Sequence, residues 1–153
     1  MLKPILLVED NPKDLELTLV ALEKTHLANE VIIARDGEEA LDYLFGRGPD
    51  RERPRENPAV VLLDLKLPKI DGLQVLQSIR NDKDLGRVPV VILTSSREEQ
   101  DLLRSYELGV NAFVVKPVGF HEFIQAIQEL GVFWAVLNEP PPGSLKSKVT
   151  YSR

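Results

Sequence analysis

Residues 60–72 read VVLLDLKLPKIDG, and this stretch decides the fold. Val60–Leu63 is an apolar run without polar alternation, which reads as a strand buried on both faces, as in a parallel sheet. One acid, Asp64, closes it. A turn through Pro68 follows, and Asp71-Gly72 opens a helix whose apolar positions include Leu73, Leu76 and Ile79. The stretch is therefore a strand, a carboxylate at its tip, and a helix running back.

The same pattern continues in both directions. Short apolar runs at Ile5–Val8, Val31–Ala34, Val88–Leu93 and Ala112–Val115 predict four more strands. Between and after them lie segments with helical spacing. Leu15, Leu19 and Leu22 mark the first helix, which Asn11 caps and Pro12 begins. Further helices are expected near Gly37–Phe45, over 97–108 and over Gly119–Asn138. Five strand–helix units with right-handed crossovers give an α/β fold, a doubly wound parallel sheet with helices on both faces. A flavodoxin-like (βα)5 order of 2-1-3-4-5 is the usual solution for this count. The spacing alone does not select it over another open sheet.

Composition narrows the function. At 153 residues, the chain fits one domain with a short appendage. A net charge of −5 argues against a nucleic-acid binder, which would carry a basic face. The absence of cysteine excludes disulfides, thiolate metal sites and cysteine nucleophiles. No apolar run approaches the ~18 residues that would span a bilayer, and no signal peptide is legible, so the chain is expected in the cytoplasm. Residues 1–138 form the expected domain. Residues 46–58 (GRGPDRERPRENP) are a loop insertion, and residues 139–153, opening on prolines, are a tail.

In an open parallel sheet, ligands bind beyond the carboxyl ends of the strands. Here strand one ends at Glu9-Asp10, strand three at Asp64, strand four at Thr94-Ser95-Ser96, and strand five at Lys116-Pro117. If strands one and three are neighbours, three carboxylates converge. Like charges packed together repel and raise each other's pKa, and a divalent cation relieves the conflict. Hard oxygen donors suit Mg²⁺, which binds through one or two carboxylates plus phosphate oxygens. With Lys116 on the same edge, the set suits phosphoryl chemistry, in which a carboxylate is itself a competent nucleophile.

The motifs ILLVEDNPKD, VLLDLKLPKIDG, VVILTSS and NAFVVKP together resemble those of response regulator receiver domains, over about residues 3–138. The resemblance implies that Asp64 is the phosphoacceptor. It implies metal binding by Glu9, Asp10, Asp64 and the backbone carbonyl of Lys66. Thr94 would be the switch hydroxyl, Phe113 the switch aromatic, and Lys116 the phosphate-contacting lysine, joined to Pro117 by a cis bond. Lys66 and Ser96 would tune the acyl-phosphate lifetime. The implied donor is a sensor histidine kinase, and the implied chemistry is confined to the domain's own phosphorylation and dephosphorylation. Two rivals fit less well. A haloacid-dehalogenase-type enzyme needs a second Asp two residues beyond its nucleophile, where this chain has Lys66. A flavodoxin-like cofactor binder wants a Gly- and hydroxyl-rich loop where this chain has Glu9-Asp10-Asn11.

Only 36 residues follow Pro117, too few for a DNA-binding effector of ~60 or more, so output through protein contact is expected. Phe123, Ile127, Leu130, Trp134 and Leu137 form one helical stripe. With Phe133 and Val136 added, the end of the helix is apolar nearly all round. Phe133, Trp134, Val136 and Leu137 are therefore candidates for extra core packing or for a homodimer interface. The long insertion and the FWAVLNEPPP ending resemble single-domain regulators paired with bacterial phytochrome-type histidine kinases. The downstream protein is not legible.

Overall fold

The computed structural model describes residues 3–26, 28–52, 56–95, 99–100, 107–110, 112–130 and 149–151. Five parallel strands take the expected order. They are β1 (Ile5–Val8), β2 (Val31–Ala34), β3 (Val60–Asp64), β4 (Val90–Thr94) and β5 (Ala112–Val115). β1 lies between β2 and β3, with Ile5 opposite both Val31 and Val60, and β4 and β5 follow outward from β3. Four helices are described: α1 (Pro12–Glu23), α2 (Gly37–Phe45), α3 (Gly72–Asn81) and α4 (Phe120–Leu130). Residues 99–100 are helical too, within the helix expected over 97–108. Among the described residues, no helix is long and apolar enough to cross a membrane.

The unbroken apolar runs are explained by two cores, one on each face of the sheet. Ile5, Leu7, Ile33, Val60, Leu62, Val91 and Leu93 face Leu15 and Leu22 of α1 and Phe123 and Ala126 of α4. Their alternating neighbours Leu6, Val8, Ile32, Val61, Leu63 and Ile92 face Leu41 and Leu44 of α2 and Val75, Leu76 and Ile79 of α3. Each strand thus supplies side chains to both layers, which is why no polar residue interrupts it.

Local chemistry places the helix starts at the carboxyl edge of the sheet. The Asn11 side chain accepts from Lys13 N and Asp14 N at 2.9 and 3.0 Å, and Pro12 supplies the first helical position. Asp71 and Gln74 form a reciprocal capping box at α3, with bonds of 2.9 and 3.1 Å.

Three features differ from the sequence reading. A sixth strand, β5's counterpart at the opposite edge, is formed by Val149–Tyr151 (β6), which pairs parallel to β2 with Val31 opposite Val149. Three residues of the tail therefore join the sheet. Three residues carry too little pattern to predict this, and the exposed edge of β2 supplies the pairing partner. The insertion at 46–58 is not wholly a solvated loop: Gly48–Asp50 forms a 3₁₀ turn, and Asp50 is buried. The fourth strand begins at Val90 rather than Val88. Pro89 has no N–H to give the ladder, although its carbonyl still accepts from Val61 N at 2.9 Å. The last helix is described only to Leu130, so Phe133, Trp134, Val136 and Leu137 lie outside the described residues.

Gly72 shows how tightly α3 is set beneath the acid-bearing strand. A Cβ there would collide with the backbone at Asp64 and Leu65, which cannot rotate away. Gly72→Ala is expected to destabilise the fold by roughly 1–3 kcal/mol, the usual cost of overpacking. Urea denaturation measures this, and an unchanged midpoint would contradict the close approach.

Candidate functional site

The carboxyl edge of the sheet gathers the expected residues. β1 delivers the fully buried Glu9 and the exposed Asp10, and β3 delivers the nearly buried Asp64. One carboxylate oxygen from each of the three lies within 4.8 Å of the others. β5 delivers Lys116, whose peptide bond to Pro117 is cis as expected. Its backbone N–H donates to Thr94 O at 2.8 Å, which fixes the lysine beside the end of β4.

The Lys116 ammonium sits among acids. Its Nζ lies 2.8 Å from Glu9 Oε1, 3.0 Å from Asp64 Oδ2 and 3.1 Å from Asp14 Oδ2. Burial works against its charge, but the pairing with Glu9 and Asp64 prevails and raises its pKa. Burial pushes the Glu9 carboxyl up to about 7, with Asp64 adding to the rise and Lys116 opposing it. Asp64 Oδ1 accepts from Lys66 N at 3.3 Å, and Glu9 Oε2 accepts from Asn11 N at 3.3 Å. Glu9 Oε1 is buried with the Lys116 ammonium as its near neighbour. Three carboxylates that each offer an oxygen within 4.8 Å of the others are a hard donor set that fits a divalent cation.

The expected switch residues stand to one side. Thr94 is buried at the end of β4, and its hydroxyl donates to Glu99 Oε1 at 2.7 Å. The Ser95 backbone N–H and hydroxyl donate to the same oxygen at 2.9 and 3.2 Å. Partial burial raises the Glu99 carboxyl, but these bonds outweigh it and hold the group below its ordinary range. Lys66 is exposed, with Nζ 3.9 Å from Glu99 Oε2. Phe113 on β5 is half-buried against the core that lies on the α2–α3 side of the sheet. Ser96 lies outside the described residues.

Two participants escaped the sequence reading. Asp14 sits in the first turn of α1, where an acid is fully explained by the helix dipole. Its position four residues after Asp10, on the helix that opens at the site, was the available signal. Glu99 follows Thr94 by five residues in a polar segment, and nothing in its spacing betrays the contact.

The model of the response regulator receiver domain matches residues 5–128, and the chain belongs to that family. Receiver domains bind a divalent metal, in keeping with the acid cluster found here. Response regulator Rcp1 of Synechocystis sp. is 42% identical over 132 residues, 86% of this chain and 88% of that protein. The solved bacteriophytochrome response regulator RtBRR superposes with a TM-score of 0.87 at 67% identity, covering 94% of this chain and 87% of that one. The Mn(2+)-bound form of Rcp1 superposes with a TM-score of 0.69 at 41% identity, covering 87% and 94% of the two chains.

The raised Glu9 carboxyl gives the metal-free protein a signature. Between 4.5, the ordinary glutamate value, and about 7, folded Glu9 keeps a proton that the unfolded chain has released. Its contribution to stability is therefore full below 4.5 and is lost as pH rises through about 7. Thermal melts in chelator should show wild type losing stability across this window relative to Glu9→Gln, which cannot titrate. Parallel pH profiles would contradict the assignment.

Proposed function

We propose that the chain accepts a phosphoryl group on Asp64 from a sensor histidine kinase, in a pathway of the bacteriophytochrome type, and signals by a change of surface. The observation that carries this is the placement of Asp64. It is a nearly buried carboxylate at a strand tip, 3.0 Å from the Lys116 ammonium and grouped with two further acids. Asp64 Oδ1 also accepts from the Lys66 N–H, which helps to orient the carboxylate.

In the proposed step, a carboxylate oxygen of Asp64 bonds to phosphorus as the bond from phosphorus to the kinase histidine nitrogen breaks. The nitrogen retains that electron pair and the product is an acyl phosphate. Glu9, Asp10, Asp64 and the backbone carbonyl of Lys66 are the proposed ligands of Mg²⁺, which when bound supplies charge neutralisation at the phosphoryl oxygens. Lys116 adds a fixed positive charge beside the acceptor. Thr94 would then donate its hydroxyl to the phosphoryl group, and Phe113 would follow into the space Thr94 leaves. The readout is the face built from β5, the helix after it and the segment after β4. A new local charge biasing a two-state element is the general form of such switches. Lys66 and Ser96 are proposed to set the lifetime of the acyl phosphate, and the domain acts on no other substrate.

The relatives support the pathway assignment, since two of the solved chains similar to this one are named as bacteriophytochrome response regulators. Such a kinase partner would place the protein in the cytoplasm. A homodimer through the apolar segment containing Phe133, Trp134, Val136 and Leu137 is part of the same proposal, with a further protein as downstream target. Sedimentation equilibrium tests it: a mass of one chain at all concentrations, with and without beryllofluoride, removes the dimer.

Asp64→Asn should abolish labelling by acetyl phosphate and by a phosphorylated kinase while leaving the melting temperature close to wild type. A phosphotransfer profile should show faster transfer from bacteriophytochrome-type kinases than from unrelated histidine kinases. Stoichiometric labelling of Asp64→Asn would sink the acceptor assignment.

A further inference from the structure

The buried Thr94 hydroxyl has a single proton, and the structure commits it to Glu99 at 2.7 Å. A hydroxyl cannot give the same proton to two acceptors. Whatever else Thr94 bonds to, it can donate to Glu99 or to a phosphoryl oxygen on Asp64, not to both. Glu99 is well placed to compete. It is ionised at neutral pH, and a hydrogen bond to a charged acceptor is stronger than a neutral one. The same Oε1 is anchored by the Ser95 N–H at 2.9 Å and the Ser95 hydroxyl at 3.2 Å, so it does not drift away when one bond breaks.

We propose that Glu99 is the off-state latch of the switch, a positioning residue that holds the Thr94 hydroxyl away from the phosphorylation site. The inference rests on the reading of Asp64 and Thr94 given above. Phosphorylation must break the Thr94–Glu99 bond before the hydroxyl serves the phosphoryl group. The incoming charge assists, because a phosphoryl group carrying about −1.5 to −2 charge repels a nearby carboxylate. The latch thus shifts the resting equilibrium toward the inactive form, and its strength sets how much of the phosphoryl group's binding energy is spent on release.

A plainer role exists for Glu99, since bonding the Ser95 N–H helps begin the helical turn at residues 99–100. The two roles separate by dependence on Thr94. A cap acts whatever stands at position 94, whereas a latch has nothing to hold once the hydroxyl is gone. The test is a double-mutant cycle on the full chain, titrated with beryllofluoride in the presence of Mg²⁺ and read by ¹⁹F NMR. With Thr94 present, Glu99→Ala should tighten beryllofluoride binding about tenfold or more, the worth of one charge-assisted hydrogen bond. In the Thr94→Ala background only the relief of charge repulsion remains, and the same change should tighten binding about twofold or less. Glu99→Gln keeps an acceptor for Ser95 but loses the charge, and should tighten binding about threefold, again more with Thr94 present than without it. It carries the test if the alanine variant does not fold. Equal shifts in both backgrounds, no shift, or weaker binding with Thr94 present would overturn the latch. Failure of wild type to bind beryllofluoride at all would instead overturn the phosphoacceptor reading beneath it.

Discussion

The arrangement of the edge depends on one ammonium held among acids. Lys116 reaches Glu9, Asp14 and Asp64 at 2.8 to 3.1 Å, and these come from β1, α1 and β3. The lysine is delivered by β5, which is separated from β3 by β4. One side chain therefore spans the carboxyl edge of the sheet and ties together elements far apart in sequence. Such a pin works by balance. Each acid is tolerable in a dry environment because the cation is there, and the cation because the acids are. The balance is incomplete: one lysine faces three acids with Asp10 close by, and burial, with Asp64 adding to it, pushes the Glu9 carboxyl up to about 7. A site with surplus negative charge and acceptor capacity is a site that rewards an incoming cation.

A poised cluster of this kind needs rigid support, and the two cores provide it. Every residue of β1 and β3 is buried, and alternate side chains lock into opposite helical layers. Sliding either strand by one residue would exchange its two layers and carry Glu9 or Asp64 out of reach, so register and site geometry are one constraint. The helices share it. Gly72 lets α3 start against the backbone of Asp64 itself, and the Asn11 cap aims the first turn of α1 at the site, which brings Asp14 onto Lys116. Functional side chains are thus mounted on the ends of elements whose positions the hydrophobic cores determine.

How legible all this is in the sequence depends on how local the cause is. The five strands show themselves because burial on both faces leaves uninterrupted Val, Ile and Leu. Glu9, Asp10, Asp64, Thr94 and Lys116 show themselves because an abrupt polar residue after such a run marks a strand tip, and the structure brings the acids and the lysine together there. Asp14 and Glu99 stay hidden for a shared reason. Each sits near a helix start, where an acid already has a sufficient local explanation, and its tertiary reach leaves no trace in spacing. β6 hides because its pairing is supplied by the edge of β2 rather than by its own three residues. Buried Asp50 hides inside an insertion whose composition reads as solvated.

The two polar clusters at this edge are also mechanically connected. The Lys66 backbone N–H bonds Asp64, while the Lys66 ammonium leans toward Glu99, which in turn holds Thr94. Thr94 O accepts from the Lys116 N–H, which returns the path to the lysine at the acid cluster. The loop after β3 and the end of β4 are therefore joined by contacts that begin at Asp64. Energetic coupling needs an element with two discrete arrangements, not merely a chain of contacts. In the proposed latch the Thr94 hydroxyl would supply that discreteness, because its one proton serves either Glu99 or a phosphoryl oxygen on Asp64. On that proposal, phosphorylation of Asp64 would be read at the end of β4 as an exchange of hydrogen-bond partner, which has no intermediate form.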